Sequence, residues 1–385
     1  MKNFKYIITI LLITTSTLFC SCSRDYNEIE SRAFILGVGM DYDMVSKQFI
    51  VSAETVEGRE GSVAAGAGSK VITGRGKSVF DAVRNMVTTY GKKLYWSHAK
   101  ILIISGSLAE NNIFEVLDWV NRDQEVRDDM RLLFTTKNTA QQILETRKDE
   151  NTIVSNMIHD MMINQEAVSS FPKIDLWEFL YDMSTPGIEP IGALISLNPY
   201  EKGTLKIGGT AIFEDNKMKG ELSPDQSKIL LFIRNKIQGA LFNIRKDQTK
   251  VGSNITFELF KSKTKLIPTY SNGSVAIIVD VNTNVGVAES SEDLDFTNNA
   301  TVKQLERCLE AELVEEIQTL VSLVQKQYET DIFGFGREIE AHMPSEWSKL
   351  KNDWNKNFAN LEVKANVHVT VNGSALVGKP LRKGD

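Results

Sequence analysis

Runs of apolar residues, alternating or continuous, predict the elements of the first half of the chain. RAFILGVGMDYD and QFIVSAETVE are rich in Ile, Val and Phe and flank a short polar turn, which predicts two consecutive strands. Gly and Ala dominate from Gly58 to Gly68, and this predicts a mobile loop. Ser78 stands where a helix N-cap belongs, Asp81 follows three residues on, and Val79, Ala82, Val83, Met86 and Tyr90 carry helical spacing. KILIIS (Lys100 to Ser105) predicts a buried strand, FEVLDWV (Phe114 to Val120) a helix, and MRLLFTT (Met130 to Thr136) another strand. Helical patterns continue over Asn151 to Asn164 and Asp175 to Met183. Pro186 and Pro190 then interrupt the chain before a last strand, IGALISL.

Pro and Gly cluster in NPYEKG (Asn198 to Gly203), which predicts a boundary. Beyond it, KIGGTAIFEDNKMKGEL reads as a hairpin about EDNK. The next helix is punctuated by Ser223 as N-cap, Pro224 at N1, Gln226 completing a capping box, an apolar face of Ile229, Leu230, Ile233 and Ile237, and Gly239 at the exit. From about Ser253, NITFELF and VAIIVDVNTNVGVAE alternate, as long antiparallel strands with one polar face do. Val302, Leu305, Leu309, Leu313, Ile317, Leu320, Val324 and Tyr328 then form an apolar stripe, the mark of a helix about 40 Å long. A second helix starts at Ser345 with Trp347, Leu350, Trp354 and Phe358 on one face, and LEVKANVHVTV closes the unit as a strand. The fold class this predicts is α+β: three mixed α/β domains with antiparallel-rich sheets, at 33–198, 203–252 and 253–378. The last has the order β-β-α-α-β.

The N-terminus departs from this pattern. Lys2 and Lys5 precede an uncharged run from Tyr6 to Phe19, followed by Cys20, Ser21, Cys22 and a polar stretch. This is the layout of an export signal. A helix over that run rises only about 21 Å, short of a hydrocarbon core of about 30 Å. Cys22 has small Ser21 before it, as the lipid-bearing Cys of a cleaved lipoprotein requires, whereas Cys20 follows bulky Phe19. Residues 1–21 therefore read as a lipoprotein signal peptide, Cys22 as the lipidation site, and 22–32 as a tether. A plain secretory signal and an uncleaved anchor are the alternatives. Loss of Lys2 and Lys5 with the signal takes the net charge from -6 to -8, so no general basic surface invites nucleic acid. Only Cys308 would remain beside the acylated Cys22, which excludes an intramolecular disulfide.

Candidate chemistry is sparse. Gly76-Lys77-Ser78 matches the end of a phosphate-binding loop, but Val71 occupies the position of the earlier Gly, and Ser78 reads as an N-cap. His98, His159, His342 and His368 lie far from one another and from Cys, so no metal site is predicted. Gly334-Phe335-Gly336 lacks the third Gly of a dinucleotide fingerprint and reads as a turn with Phe333 and Phe335 tucked inward. Glu315 and Glu316 fall on the polar face of the long helix. The densest mixed-charge stretch is Arg122, Asp123, Glu125, Arg127, Asp128 and Asp129, either a surface connection laced with ion pairs or a polar docking edge. No catalytic residue and no cofactor is predicted.

Four stretches carry a resemblance to a known family. They are Cys22 followed by RDYNEIESRAFILGVGMD with its G-x-G-x-D strand, LYWSHAKILIISGSLAENNIFEVLDWVNRDQEVR, GGTAIFEDNKMKGELSPDQSKILLFIRNKIQGALF, and DIFGFGREIEAHMPSEWSKLKNDWNKNF. In order and content they resemble the Ger(x)C lipoproteins, the C subunits of nutrient germinant receptors of endospore-forming bacteria. Ser23 stands where that family usually has Trp, and Ser21 replaces its usual Gly. The resemblance implies a non-enzymatic subunit on the outer face of the spore inner membrane, held by a diacylglyceryl anchor and acting with multi-span A and B subunits. It implies three α/β-type domains. His98, Arg122, Asp123 and Arg127 are the candidate partner-docking residues. The alternative function is a lipoprotein that binds a small germinant or wall ligand directly, in a cleft between the first two units.

Overall fold

The structure, a computed structural model, describes residues 32–57, 68–111, 113–147, 149, 151–244, 255–271, 273–290 and 298–374. The expected signal peptide, Cys22, the expected tether up to residue 31 and all but the last residue of the Gly58–Gly68 segment lie outside the described residues, whereas Arg32, the last tether position, already belongs to the first strand.

The first sheet begins with β1 (Arg32–Asp43), β2 (Gln48–Glu57) and β3 (Gly68–Gly76), joined as an antiparallel meander. α1 (Val79–Tyr90) and the short β4 (Lys93–Tyr95) lead to β5 (Ile101–Ser105), which lies parallel to β1. After α2 (Gly106–Ala109) and α3 (Phe114–Arg122), β6 (Arg131–Thr135) extends the parallel centre. Next come α4 (Ala140–Glu145), α5 (Val154–Ile163) and α6 (Leu176–Ser184), and then β7 (Ile191–Leu197), parallel to β6. β8 (Leu205–Glu214) and β9 (Lys217–Leu222) close the sheet as an antiparallel wing, for an order β3-β2-β1-β5-β6-β7-β8-β9 with β4 on β1.

The burial of β5 explains the continuous apolar run in its sequence. Leu102 and Ile104 join the core on one face of the sheet while Ile101 and Ile103 join the core on the other, under α4 and α5. A strand between two layers has no water-facing side to encode as polar.

After β9 the chain forms α7 (Pro224–Ile233), with Ser223 and Gln226 completing the capping box that the sequence shows. β10 (Leu241–Ile244), β11 (Ile255–Ser271), β12 (Ser274–Ser290) and β13 (Glu362–Ser374) make a second, four-stranded sheet in that order. β11 and β12 are antiparallel, whereas β13 runs parallel to β12. That reversal needs a crossover, which is supplied by α8 (Asn299–Gln327), α9 (Phe335–His342), α10 (Pro344–Leu350) and α11 (Trp354–Ala359). α8 buries Leu305, Leu309, Leu313, Ile317, Leu320 and Val324, the stripe read from sequence.

Among the described residues 39% are helical and 38% lie in strands, and with mixed sheets the fold class is α+β. β7 and β8 pair across Asn198–Gly203, so the first sheet is continuous there, and 203–244 contributes strands to both sheets. Four local readings change. The helix expected from Ser345 is two, α10 and α11, separated by a tighter turn at Lys351–Asp353, so with α8 and α9 four helices, not two, stand between β12 and β13. β3 carries no clear strand pattern because glycines punctuate it, yet those glycines admit α1: a Cβ on Gly74 would meet the Ala82 carbonyl oxygen at 2.2 Å, and one on Gly76 the Ala82 nitrogen at 2.2 Å. α7 ends at Ile233, not at Gly239, since Arg234 caps it and Asn235 turns into the left-handed region at φ 56°. Gly334-Phe335-Gly336 opens the helix α9, with Phe333 and Phe335 fully inside as expected. Among the described residues no helix is long and apolar enough to cross a membrane.

Candidate functional site

His98 and the Arg122–Asp129 connection meet on one edge of the molecule. The Ser97 hydroxyl donates to the Glu125 carbonyl oxygen at 3.0 Å, and Lys93 pairs with Glu125 at 3.0 Å, so the β4 side and the connection are tied together. His98 is exposed and meets Phe34 edge-on at 5.3 Å and Tyr95 at 5.7 Å, while the Arg32 guanidinium lies over the Tyr95 ring at 5.4 Å. Arg122 reaches back one helical turn to Asp118 at 2.7 Å. Arg127 is paired with Asp129, and this guanidinium holds the Asp129 carboxyl below its usual range. Asp123 caps the end of α3 and accepts from the Glu125 amide at 2.9 Å, so it shapes the connection. The four residues thus share an edge. Arg122 and Arg127 are held there by neighbouring carboxylates and Asp123 by the backbone.

Two glycine-rich motifs turn out to be packing devices. In Gly37-Val38-Gly39-Met40-Asp41, a Cβ on Gly37 would meet Ser155 Oγ at 2.1 Å and one on Gly39 would meet Ala140 and Leu144 at 3.1 Å. Both glycines therefore let α4 and α5 lie on β1. The Asp41 carboxylate receives the Ala140 and Gln141 amides at 2.8 and 3.0 Å at the start of α4, while burial pushes its pKa up. At the start of α5 the buried Glu54 carboxylate accepts the Val154 and Ser155 amides at 2.9 and 2.6 Å.

The second device joins the two sheets. Asp331, fully buried, accepts the Phe333, Gly334 and Gly336 amides at 3.0, 2.9 and 2.8 Å and the Trp354 indole at 3.2 Å. Burial raises its pKa against the pull of those amides. The knot presents Gly336 to Gly187 so closely that a Cβ on Gly187 would lie 2.5 Å from the Gly336 carbonyl carbon. The Arg337 amide donates to the Gly187 carbonyl at 3.0 Å, and the Glu189 amide to the Asp331 carbonyl at 2.8 Å. Beside it, burial first and then the neighbouring Asp215, Glu214 and Asp331 push Glu189 up to about 7. Asp182 adds an ion pair with Arg234 at 2.6 Å and a looser one with Arg337 at 4.0 Å. Among the described residues no cluster of His, Cys, Asp or Glu could hold a metal ion.

Two family models match nearly end to end: the spore germination protein N-terminal domain over residues 25–197, and the spore germination B3/GerAC-like C-terminal domain over 208–375. The chain is a member of the Ger(x)C family. It is 27% identical over 369 residues to spore germination protein B3 of Bacillus subtilis, covering 94% of this chain and 96% of that one. It is 24% identical over 398 residues to spore germination protein KC of the same organism, at 96% of each. The fold is shared with the crystal structure of the GerBC protein, at a TM-score of 0.59 and 22% identity over 87% of this chain and 97% of that one. The sequence stretches that carried the Ger(x)C resemblance can now be placed. G-x-G-x-D and DIFGFG are the two packing devices, and the third stretch is the β8–β9 hairpin with capped α7. Sequence reasoning did not single out Glu54, Asp182, Gly187 or Glu189. Gly187, between Pro186 and Pro190, carried only a turn signal, and nothing local pairs Asp182 with arginines 52 and 155 residues away.

Proposed function

We propose that this Ger(x)C chain is a non-catalytic, lipid-anchored subunit of a spore nutrient germinant receptor, needed for its assembly or signalling. The observation that carries the reading is the match of two spore germination domains that begins at residue 25, three positions after Cys22. In this reading Cys22 bears a diacylglyceryl group on the outer face of the spore inner membrane, and multi-span A and B subunits are the partners. A single acyl chain binds a membrane marginally and the acidic body adds no attraction to anionic lipid, so placement rests on both acyl chains and on partner contacts. Confinement at the surface raises the effective concentration for those partners.

The docking face in this reading is the edge built by His98, Arg122, Asp123 and Arg127. The ten residues from Cys22 to Arg32 span at most about 35 Å. Arg32 enters β1 beside Lys93 of β4, next to that edge. The exposed ion pairs of Arg122 and Arg127 are of a kind that contributes little to folding, so exchanging them for partner carboxylates is inexpensive.

Cys22→Ala is expected to deplete the protein from spore inner membranes and lower nutrient germination, measured by fractionation and by germination assays. Normal membrane retention and germination would refute the anchor. Affinity purification of the tagged protein from spore membranes is expected to recover two multi-span proteins, identified by mass spectrometry.

A further inference from the structure

A cleft of about 920 Å³ opens where α6, the segment after α7, β11 and α9 approach one another. α6 buries Leu176, Phe179 and Asp182 and turns Trp177 and Tyr181 into this cleft, 47% and 54% exposed. Four residues apart on a helix, the two aromatics share one face. Ile267 of β11, 39% exposed, also lines it. Three large apolar side chains around one concavity form an exposed patch of the sort that marks a protein-interaction surface.

Charge separates the cleft from the rest of the surface. Arg131, Lys173, Arg234, Lys236, Lys265 and Arg337 face four carboxylates, Asp175, Glu178, Asp182 and Glu338, so the cleft has a surplus of positive charge in a chain whose net charge is -6. Four of the six cations are paired: Arg131 with Asp175, Lys236 with Glu178 at 2.9 Å, Arg234 with Asp182 at 2.6 Å, and Lys173 at 2.8 Å with Glu166, which lies outside the lining. Lys265 makes no ion pair among the described residues, and Arg337 reaches Asp182 only at 4.0 Å. These two heads keep donors for a ligand.

We propose that this cleft binds an acidic peptide segment of a partner protein. Trp177 and Tyr181 hold one apolar side chain of that segment, and Lys265 and Arg337 pair with flanking carboxylates. An enclosed small-molecule site is lined mainly by apolar groups, whereas ten of the 24 residues lining this cleft are charged. Exposed Trp and Tyr beside Arg are the composition of protein-interface hot spots. The proposal goes beyond the receptor-subunit reading, because it requires neither the lipid anchor nor the two multi-span partners.

The test pans a phage-displayed random peptide library against the full-length protein in detergent, then titrates a labelled selected peptide by fluorescence polarisation. Enriched sequences are expected to carry an aromatic residue or Leu flanked by Asp or Glu. The double variant Trp177→Ala/Tyr181→Ala is expected to weaken binding by about tenfold or more. Lys265→Glu is expected to weaken it several-fold and to reduce its salt dependence. All three side chains are exposed, so unchanged denaturation midpoints confirm that the variants fold. No enrichment, enrichment without acidic residues, or an acidic peptide that binds the double variant as tightly as the parent would each overturn the proposal. Failure here leaves the membrane-purification result untouched, and the reverse also holds.

Discussion

Asp331 and Asp129 each lie within six residues of an arginine in a Ger(x)C-like stretch, yet only one of them is in water. Asp331 has surrendered all its hydration and receives four directed donors in return, three amides of its own turn and the Trp354 indole. Asp129 keeps water on one side and an Arg127 guanidinium on the other. The first arrangement fixes the backbone of residues 331–336 and through Gly336 docks the second sheet on the Gly187 turn. The second fixes little, and its charges stay available. A carboxylate in or beside a family motif is therefore scaffold or contact according to how many donors the fold aims at it.

The largest effect expected from breaking this contrast is at Asp331. Asp331→Ala leaves three amides and an indole buried without acceptors, and each orphan donor costs about 1–3 kcal/mol. Chemical denaturation is expected to show a loss of at least about 3 kcal/mol, together with protease sensitivity where Gly187 meets Gly336. A variant as stable as the parent would show that the knot is incidental.

How much of this was legible from sequence follows the same division. Signals closed within one turn were readable: Ser78, Ser223 with Gln226, the stripe of α8, and the doubly buried run of β5. What the sequence hid was contact between distant segments. Gly74 and Gly76 weaken the strand signal of β3, because local propensity has no term for a helix packed on a strand's glycines. Gly37, Gly39 and Asp41 were recognisable as a motif, but only the fold shows that α4 and α5 are what they accommodate. The candidate edge was partly legible: Arg122, Asp123 and Arg127 form one stretch, while the approach of His98 depends on the Ser97–Glu125 bond.

An intermediate effect is expected at Glu189, whose surroundings share features of both regions. Its folded pKa of about 7 exceeds the ordinary 4.5, so the folded protein holds this proton more tightly than the unfolded chain does. The stabilisation is therefore complete below pH 4.5, falls as pH rises toward 7, and is absent above it. The difference is on the order of 3 kcal/mol. Glu189→Gln, which keeps the shape and cannot ionise, is expected to remove that slope from the pH dependence of the denaturation midpoint. An unchanged pH profile in the variant would place Glu189 with the solvated charges of the edge.

The smallest effect on folding is expected at the edge itself, and there the readout must change. Arg122→Ala/Arg127→Ala removes two exposed ion pairs and no buried contact, so the denaturation midpoint should stay within experimental error of the parent. If the edge docks a partner, the same variant should recover less of the multi-span proteins from spore membranes, and Asp118→Ala, which frees Arg122 without removing it, should not. Loss of partner recovery without loss of stability separates contact from scaffold. Full recovery by the double arginine variant would leave the mixed-charge connection as a solvated surface and direct attention to the Trp177–Tyr181 cleft.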